Sequence, residues 1–147
     1  MSRTLAAALT AGALLWCALL IAAPFAVARG GGAFATPIAL LYQASSRICH
    51  QRPERSFHIA GVQQPVCARC FGLYGSGAAG ALLGWTAIRR RRDSFNRGLL
   101  LACAVPTALT FGLEAANLAH PSSALRAWAA LPLGLAAGWM FIGGLRE

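Results

Sequence analysis

The chain has 147 residues, 57% of them apolar and only 12% charged, where ordinary soluble domains carry about 25% charge. That length holds one domain, residues 1–147, and that balance excludes a typical soluble globule in favour of a helical membrane protein. The net charge of +9 comes from 13 arginines with no lysine. Its densest cluster abuts an apolar run, which fits the cytoplasmic charge bias of membrane proteins and argues against nucleic-acid binding.

Residues 5–27 form an uncharged stretch long enough to cross the hydrocarbon core, which takes about 20 apolar residues. A cleaved signal peptide is the rival reading: Arg3 would be its charged start, Pro24 its helix breaker and Ala26-Val27-Ala28 its cleavage site. The apolar run exceeds a usual signal core, so a retained span is expected. Arg29 to Gly32 is a flexible break. Thr36-Pro37 then reads as a helix start, with Thr as N-cap and Pro in the first helical position. Ile38, Leu41, Tyr42 and Ile48 share one side of this segment, which is too short and polar to span, so a short interfacial helix is expected. It delivers Cys49 and His50 to the membrane surface, within an outer loop over residues 29–65.

Glu54 to Gln64 carries no strong local structure signal. Pro65 suits the first turn of the next helix, a span expected over residues 66–88. Within it Gly72, Ser76, Gly80 and Gly84 recur every fourth residue, a ridge that lets another membrane helix approach closely. Arg89 to Arg92 and Arg97 form a short basic loop, which the charge rule places in the cytoplasm. Spans follow over residues 99–118 and 127–145, with Pro106 as a kink and Gly134 and Gly138 as a second small-residue pair. The expectation is an all-α integral membrane protein in the cell membrane with four transmembrane helices, three if the first is cleaved. Both termini are then cytoplasmic.

That topology brings Cys67, Arg69, Cys70 and Tyr74 level with Glu114, Asn117, His120 and Arg126. Glu114 falls about five residues inside its span, roughly 8 Å deep. A carboxylate there is costly and needs a partner, for which Arg126 or Arg69 is placed. Read as catalytic, Glu114 or Glu54 would handle protons while Arg55, Arg69 or Arg126 steers an anion. Read structurally, the group is an ion pair between helices.

Cys67 and Cys70 are three apart in the first turn of a helix and face the same way. The helix N-terminus and Arg69 favour thiolate. Thiolates suit metal binding and disulfide exchange. With Cys49 and either His50 or His58 they make a tetrahedral Cys3His set, for which zinc is the first metal to consider and iron the next. As a redox pair they lack the second dithiol that a membrane electron relay uses. A purely structural link is the third reading. Cys17 and Cys103 read as packed thiols.

The stretches CHQRPERSF and VCARCFGLYGSGAAG resemble a family of small bacterial and archaeal membrane proteins catalogued as domain of unknown function 2085. The matching residues are Cys49-His50-Gln51, Glu54-Arg55-Ser56-Phe57, Cys67-Ala68-Arg69-Cys70, Gly72, Tyr74 and Gly75. The likeness continues more loosely through Glu114, Arg126, Gly134 and Gly138. It departs where the family often has an Asp-Gly-x-x-Gln-like element and this chain reads PTALTFGLEAAN. The resemblance implies a multi-span membrane protein whose shared feature is the Cys-His-Gln and Cys-x-Arg-Cys groups, and it supplies no activity. Alternatives to a metal protein are a membrane thiol–disulfide oxidoreductase and a non-catalytic assembly or transport partner acting through the small-residue ridge.

Overall fold

A computed structural model describes residues 2–86 and 93–146. The basic run Arg89 to Arg92 lies outside the described residues. The chain is mostly helical. Five helices run over Ser2–Ala28 (α1), Ala35–Ser46 (α2), Ala68–Gly84 (α3), Asp93–Ala115 (α4) and Ser123–Leu145 (α5). Between α2 and α3 lies a two-stranded antiparallel sheet, Ser56–Ile59 (β1) and Val62–Cys67 (β2). The sheet corrects the all-α expectation.

Three helical stretches are long and apolar enough to cross a membrane: Arg3–Ala28, Asn96–Ala115 and Ser123–Leu145. Their outward residues, among them Leu15, Leu101, Leu109 and Phe141, stay exposed, as lipid-facing side chains do. α3 has 17 residues, which rise about 26 Å, short of the ~30 Å hydrocarbon core.

Helix ends follow their local chemistry. α1 continues through Pro24 and stops at Gly30, whose φ of 87° only glycine adopts without strain. The Gly31 amide donates back to Ala26 O at 2.9 Å and the Gly30 amide to Val27 O at 2.9 Å, the two bonds of a Schellman stop. α4 ends the same way on Asn117 (φ 55°), with the Leu118 amide on Leu113 O and the Asn117 amide on Glu114 O. α2 does not use Thr36 as a cap. A 3-10 turn over Gly32–Phe34 runs into Ala35, so Thr36 and Pro37 both lie in the first helical turn, where an absent N–H costs nothing. α5 begins earlier than its apolar run, because the Ser122 hydroxyl caps the Leu125 amide at 3.2 Å. This puts Arg126 inside the helix.

The hairpin occupies a segment that reads as a loop. Its turn, Ala60-Gly61, has positive φ at both residues (52° and 77°), the geometry that joins antiparallel strands in two residues. Pro65 starts no helix. It sits in β2, between the pairs His58–Gln63 and Ser56–Cys67, where β2 carries three residues against one in β1. Its missing N–H is harmless in that bulge. Gln64, Pro65, Val66 and Cys67 are all buried, and α1 packs over β2. An isolated hairpin would be marginal; this one is braced.

α3 and α5 form the central pair, with α1 against α3 and α4 against α5. The small-residue ridge explains the closeness of that pair. A Cβ on Gly80 would run into the Leu135 carbonyl oxygen, and one on Gly138 into the Gly77 carbonyl oxygen. Gly72, Ser76, Gly80 and Gly84 are thus covered by α5 of the same chain. A helix from another protein would have to displace α5 to reach them.

Candidate functional site

β2 passes into α3 at Cys67, which is both the last strand residue and the helix N-cap. One turn on, Cys70 returns to the same side. Cys49, after the end of α2, comes across to meet them. The three Sγ atoms lie within 4.8 Å of one another. The Cys67 amide donates to Cys49 Sγ at 3.1 Å. All five cysteines are free thiols, and Cys17 and Cys103 stand outside this group. Leu20 of α1 and Val66 pack against Cys49 and Cys67, with Trp16, Phe71 and Tyr74 around them. Trp16 meets Tyr74 edge to face at 6.3 Å.

The Cys67 thiol is pulled down to about 5, first because the Cys70 side chain hydrogen-bonds to it. The nearby Cys70 backbone and Cys49 side chain, with His50, act the same way against the cost of burial. A thiolate at the N-terminus of a helix is also in its favourable electrostatic position.

The structure brings together three of the four expected ligands. Among the described residues, the group contains no histidine nitrogen. His58 is exposed on β1 opposite Gln63. His50 is exposed too, and its Nδ1 accepts the Arg52 amide at 3.1 Å. Neither His50 nor His58 places a ring nitrogen in the sulfur group. The cause is geometric: β pairing turns His58 outward, and the tight turn after Cys49 ties His50 to Arg52.

Gln51 was not singled out by chemistry, yet it holds the site together. Its Nε2 donates to Tyr42 O at 2.8 Å and to Pro65 O at 2.7 Å, while its own carbonyl accepts from Gln63 Nε2 at 2.5 Å. The Tyr42 hydroxyl donates to Gln63 O at 2.6 Å. These bonds staple α2 to β2 and so fix Cys49 against Cys67. The available signal was a Gln beside a Cys-His pair in a chain poor in polar residues.

The second cluster surrounds Glu114, near the end of α4, whose side chain is 4% exposed. Both expected partners are there: Arg126 of α5 at 2.8 Å from Oε1 and Arg69 of α3 at 3.3 Å from Oε2. Arg55, before β1, adds a third contact at 2.9 Å to Oε1. The Arg69 guanidinium also lies over the Phe111 ring, 5.5 Å from its centre. With both oxygens held by guanidiniums, Glu114 is arranged to hold charge in place more than to pass protons. Beside it opens a cavity of about 400 Å3 whose lining includes Glu54, Arg55, His120, Ser122 and Arg126.

Comparison with known proteins gives a family. The family profile of DUF2085, described as a predicted membrane protein, matches residues 49–140, a range that takes in both clusters. An uncharacterized protein of Methanocaldococcus jannaschii is 36% identical over 91 residues, 58% of this chain and 56% of that protein. The chain thus spans little more than half the length of that relative. An uncharacterized protein of Methanothermobacter thermautotrophicus is 32% identical over 88 residues, 60% of this chain and 78% of that protein. No solved structure matches. The matched range and the apolar helices support a membrane location, and the chain belongs to the DUF2085 family of predicted membrane proteins.

Proposed function

We propose that this protein holds one metal ion, zinc by ligand type, on the thiolates of Cys49, Cys67 and Cys70 at the surface of the membrane. The observation that carries the reading is the convergence of three sulfurs within 4.8 Å from three separate elements. Tetrahedral zinc with Zn–S bonds near 2.3 Å sets sulfurs about 3.8 Å apart, a small contraction from that spacing. The donor chemistry fits: one sulfur accepts a backbone amide, one thiol is already acidic, and apolar side chains shield the group. His50 keeps Nε2 available as a fourth donor; without it, the fourth position is open to water or substrate. A bound ion would pin the α2–hairpin segment to α3.

In this reading α3 is the second of four spans, and α1 is retained because Leu20 belongs to the packing around the thiols. The basic run Arg89–Arg92 and both termini then lie in the cytoplasm and the thiols face outward.

The closeness of Cys67 and Cys70, whose sulfurs lie within 4.8 Å, favours a second reading, a dithiol that passes two electrons and two protons to a protein disulfide and itself becomes a disulfide. Elemental analysis of detergent-purified protein separates the two. About one zinc or iron per chain in wild type, lost in Cys67→Ser, is the expected result for a tetrahedral thiolate site. Metal-free wild type with Cys67 and Cys70 cycling between thiol and disulfide in cells would put the dithiol in its place.

A further inference from the structure

The Glu114 cluster has a charge imbalance that the thiol site does not explain. Three guanidiniums converge on one carboxylate, which leaves two positive charges over. Glu54, exposed at the cavity, offsets one of them from the solvent side. Three guanidiniums present roughly fifteen N–H donors, far more than one carboxylate can accept. The excess is not all in water. Arg126 is 6% exposed, and its Nε and that of Arg69 are buried with no hydrogen-bond partner. A buried cation is costly unless it is paired and its donors are met, and Arg126 meets Glu114 through one terminal nitrogen. Arg69 has the Phe111 ring as partial compensation. Arg126 lines the cavity of about 400 Å3 together with Arg55, and the carboxylates Glu54 and Glu114 line it too.

We infer that this cavity is an oxyanion site that takes a phosphate group, with Arg55 and Arg126 as its cationic walls and the N-terminus of α5 as its third side. Donors there come from separate elements: the segment before β1, the first turn of α5, and the Ser122 and Ser123 positions at the start of that helix. Donors spread around a cavity suit a tetrahedral oxyanion better than a planar carboxylate, and guanidiniums and helix N-termini are its usual hosts. Glu114 orients the arginines and keeps their number from overwhelming the fold. The cavity is larger than a phosphate ion alone needs, which leaves room for an ester. Leu118 and Leu125, both exposed, flank the loop and first turn that form it. The phosphate is therefore either a phospholipid headgroup or a phosphorylated solute.

The test uses the full chain in dodecyl maltoside, with the melting temperature read from tryptophan fluorescence at fixed ionic strength. Inorganic phosphate should raise the wild-type melting temperature saturably. In Arg55→Gln, a partly exposed position whose loss leaves the buried pair intact, the midpoint concentration should rise by about tenfold, the equivalent of one charge-assisted hydrogen bond. Arg47→Gln, at an exposed arginine outside the cavity, should behave as wild type. If inorganic phosphate is silent but mixed micelles with phosphatidylglycerol stabilise wild type and not Arg55→Gln, while a phosphate-free glycolipid does neither, the site takes a headgroup. No stabilisation by either probe, or equal stabilisation of Arg55→Gln and wild type, overturns the inference. None of these readouts involves the thiols.

Discussion

The two ends of the bundle handle arginine in opposite ways. At the far end Arg146 meets no carboxylate among the described residues. Its guanidinium donates to the Gly84 and Trp85 carbonyls that end α3 and lies 4.9 Å over the Trp85 ring, while Trp85 Nε1 donates to Thr10 Oγ1 at 3.0 Å. The charge of Arg146 is matched by a helix C-terminus and a ring face, and its Nε is buried without a hydrogen-bond partner among the described residues, as are those of Arg69 and Arg126. At the thiol end three arginines share one carboxylate, and two of them line a cavity. The two ends therefore differ in charge balance, not in unpaired donors.

Substitutions can break that contrast in graded steps. Gly80→Leu should have the largest effect, because its side chain meets the backbone of α5 at Leu135 and Trp139 and separates the pair that connects the two ends. The expected outcome is loss of monodisperse folded protein in size-exclusion chromatography. Glu114→Gln should cost about 3–5 kcal/mol, the range for removing one partner of a buried ion pair, read as a drop in denaturant midpoint. A cost near zero would mean that the arginines reach water. Arg146→Gln should cost only about 1 kcal/mol, since it removes a neutral-partner contact and leaves no buried opposite charge behind. Thr10→Val is smaller still, about 0.5–1 kcal/mol for one hydrogen bond. If Arg146→Gln proved as damaging as Glu114→Gln, the two ends would not differ as described. For the thiols, Cys49→Ser should lower bound metal as Cys67→Ser does, while Cys103→Ser, on α4 and outside the cluster, should leave it unchanged.

Much of this was legible in the sequence, for reasons that can be named. Long apolar runs announce α1, α4 and α5, because lipid exposure leaves little choice of composition. The meeting of Glu114 with Arg126 and Arg69 follows from counting crossings, and Cys49 with Cys67 and Cys70 from the scarcity of other polar groups. The hairpin was not legible. Its turn is Ala60-Gly61 in place of the usual Asn-Gly or Asp-Gly, and Pro65 inside β2 imitates a helix start. That hidden strand turned His58 away from the thiols. Arg55 was a candidate for steering an anion but not a partner of Glu114, since only the folded segment before β1 aims it there. Arg146 follows the last expected span, and its contacts with Trp85 depend on where α3 stops, which the continuous apolar pattern concealed.

Arg69 stands between Cys67 and Cys70 in the chain, and its guanidinium reaches Glu114. The first turn of α3 therefore carries parts of both clusters within four residues, a thiol at each end and an ion-paired cation between them, so a substitution that shifts this turn would disturb both at once.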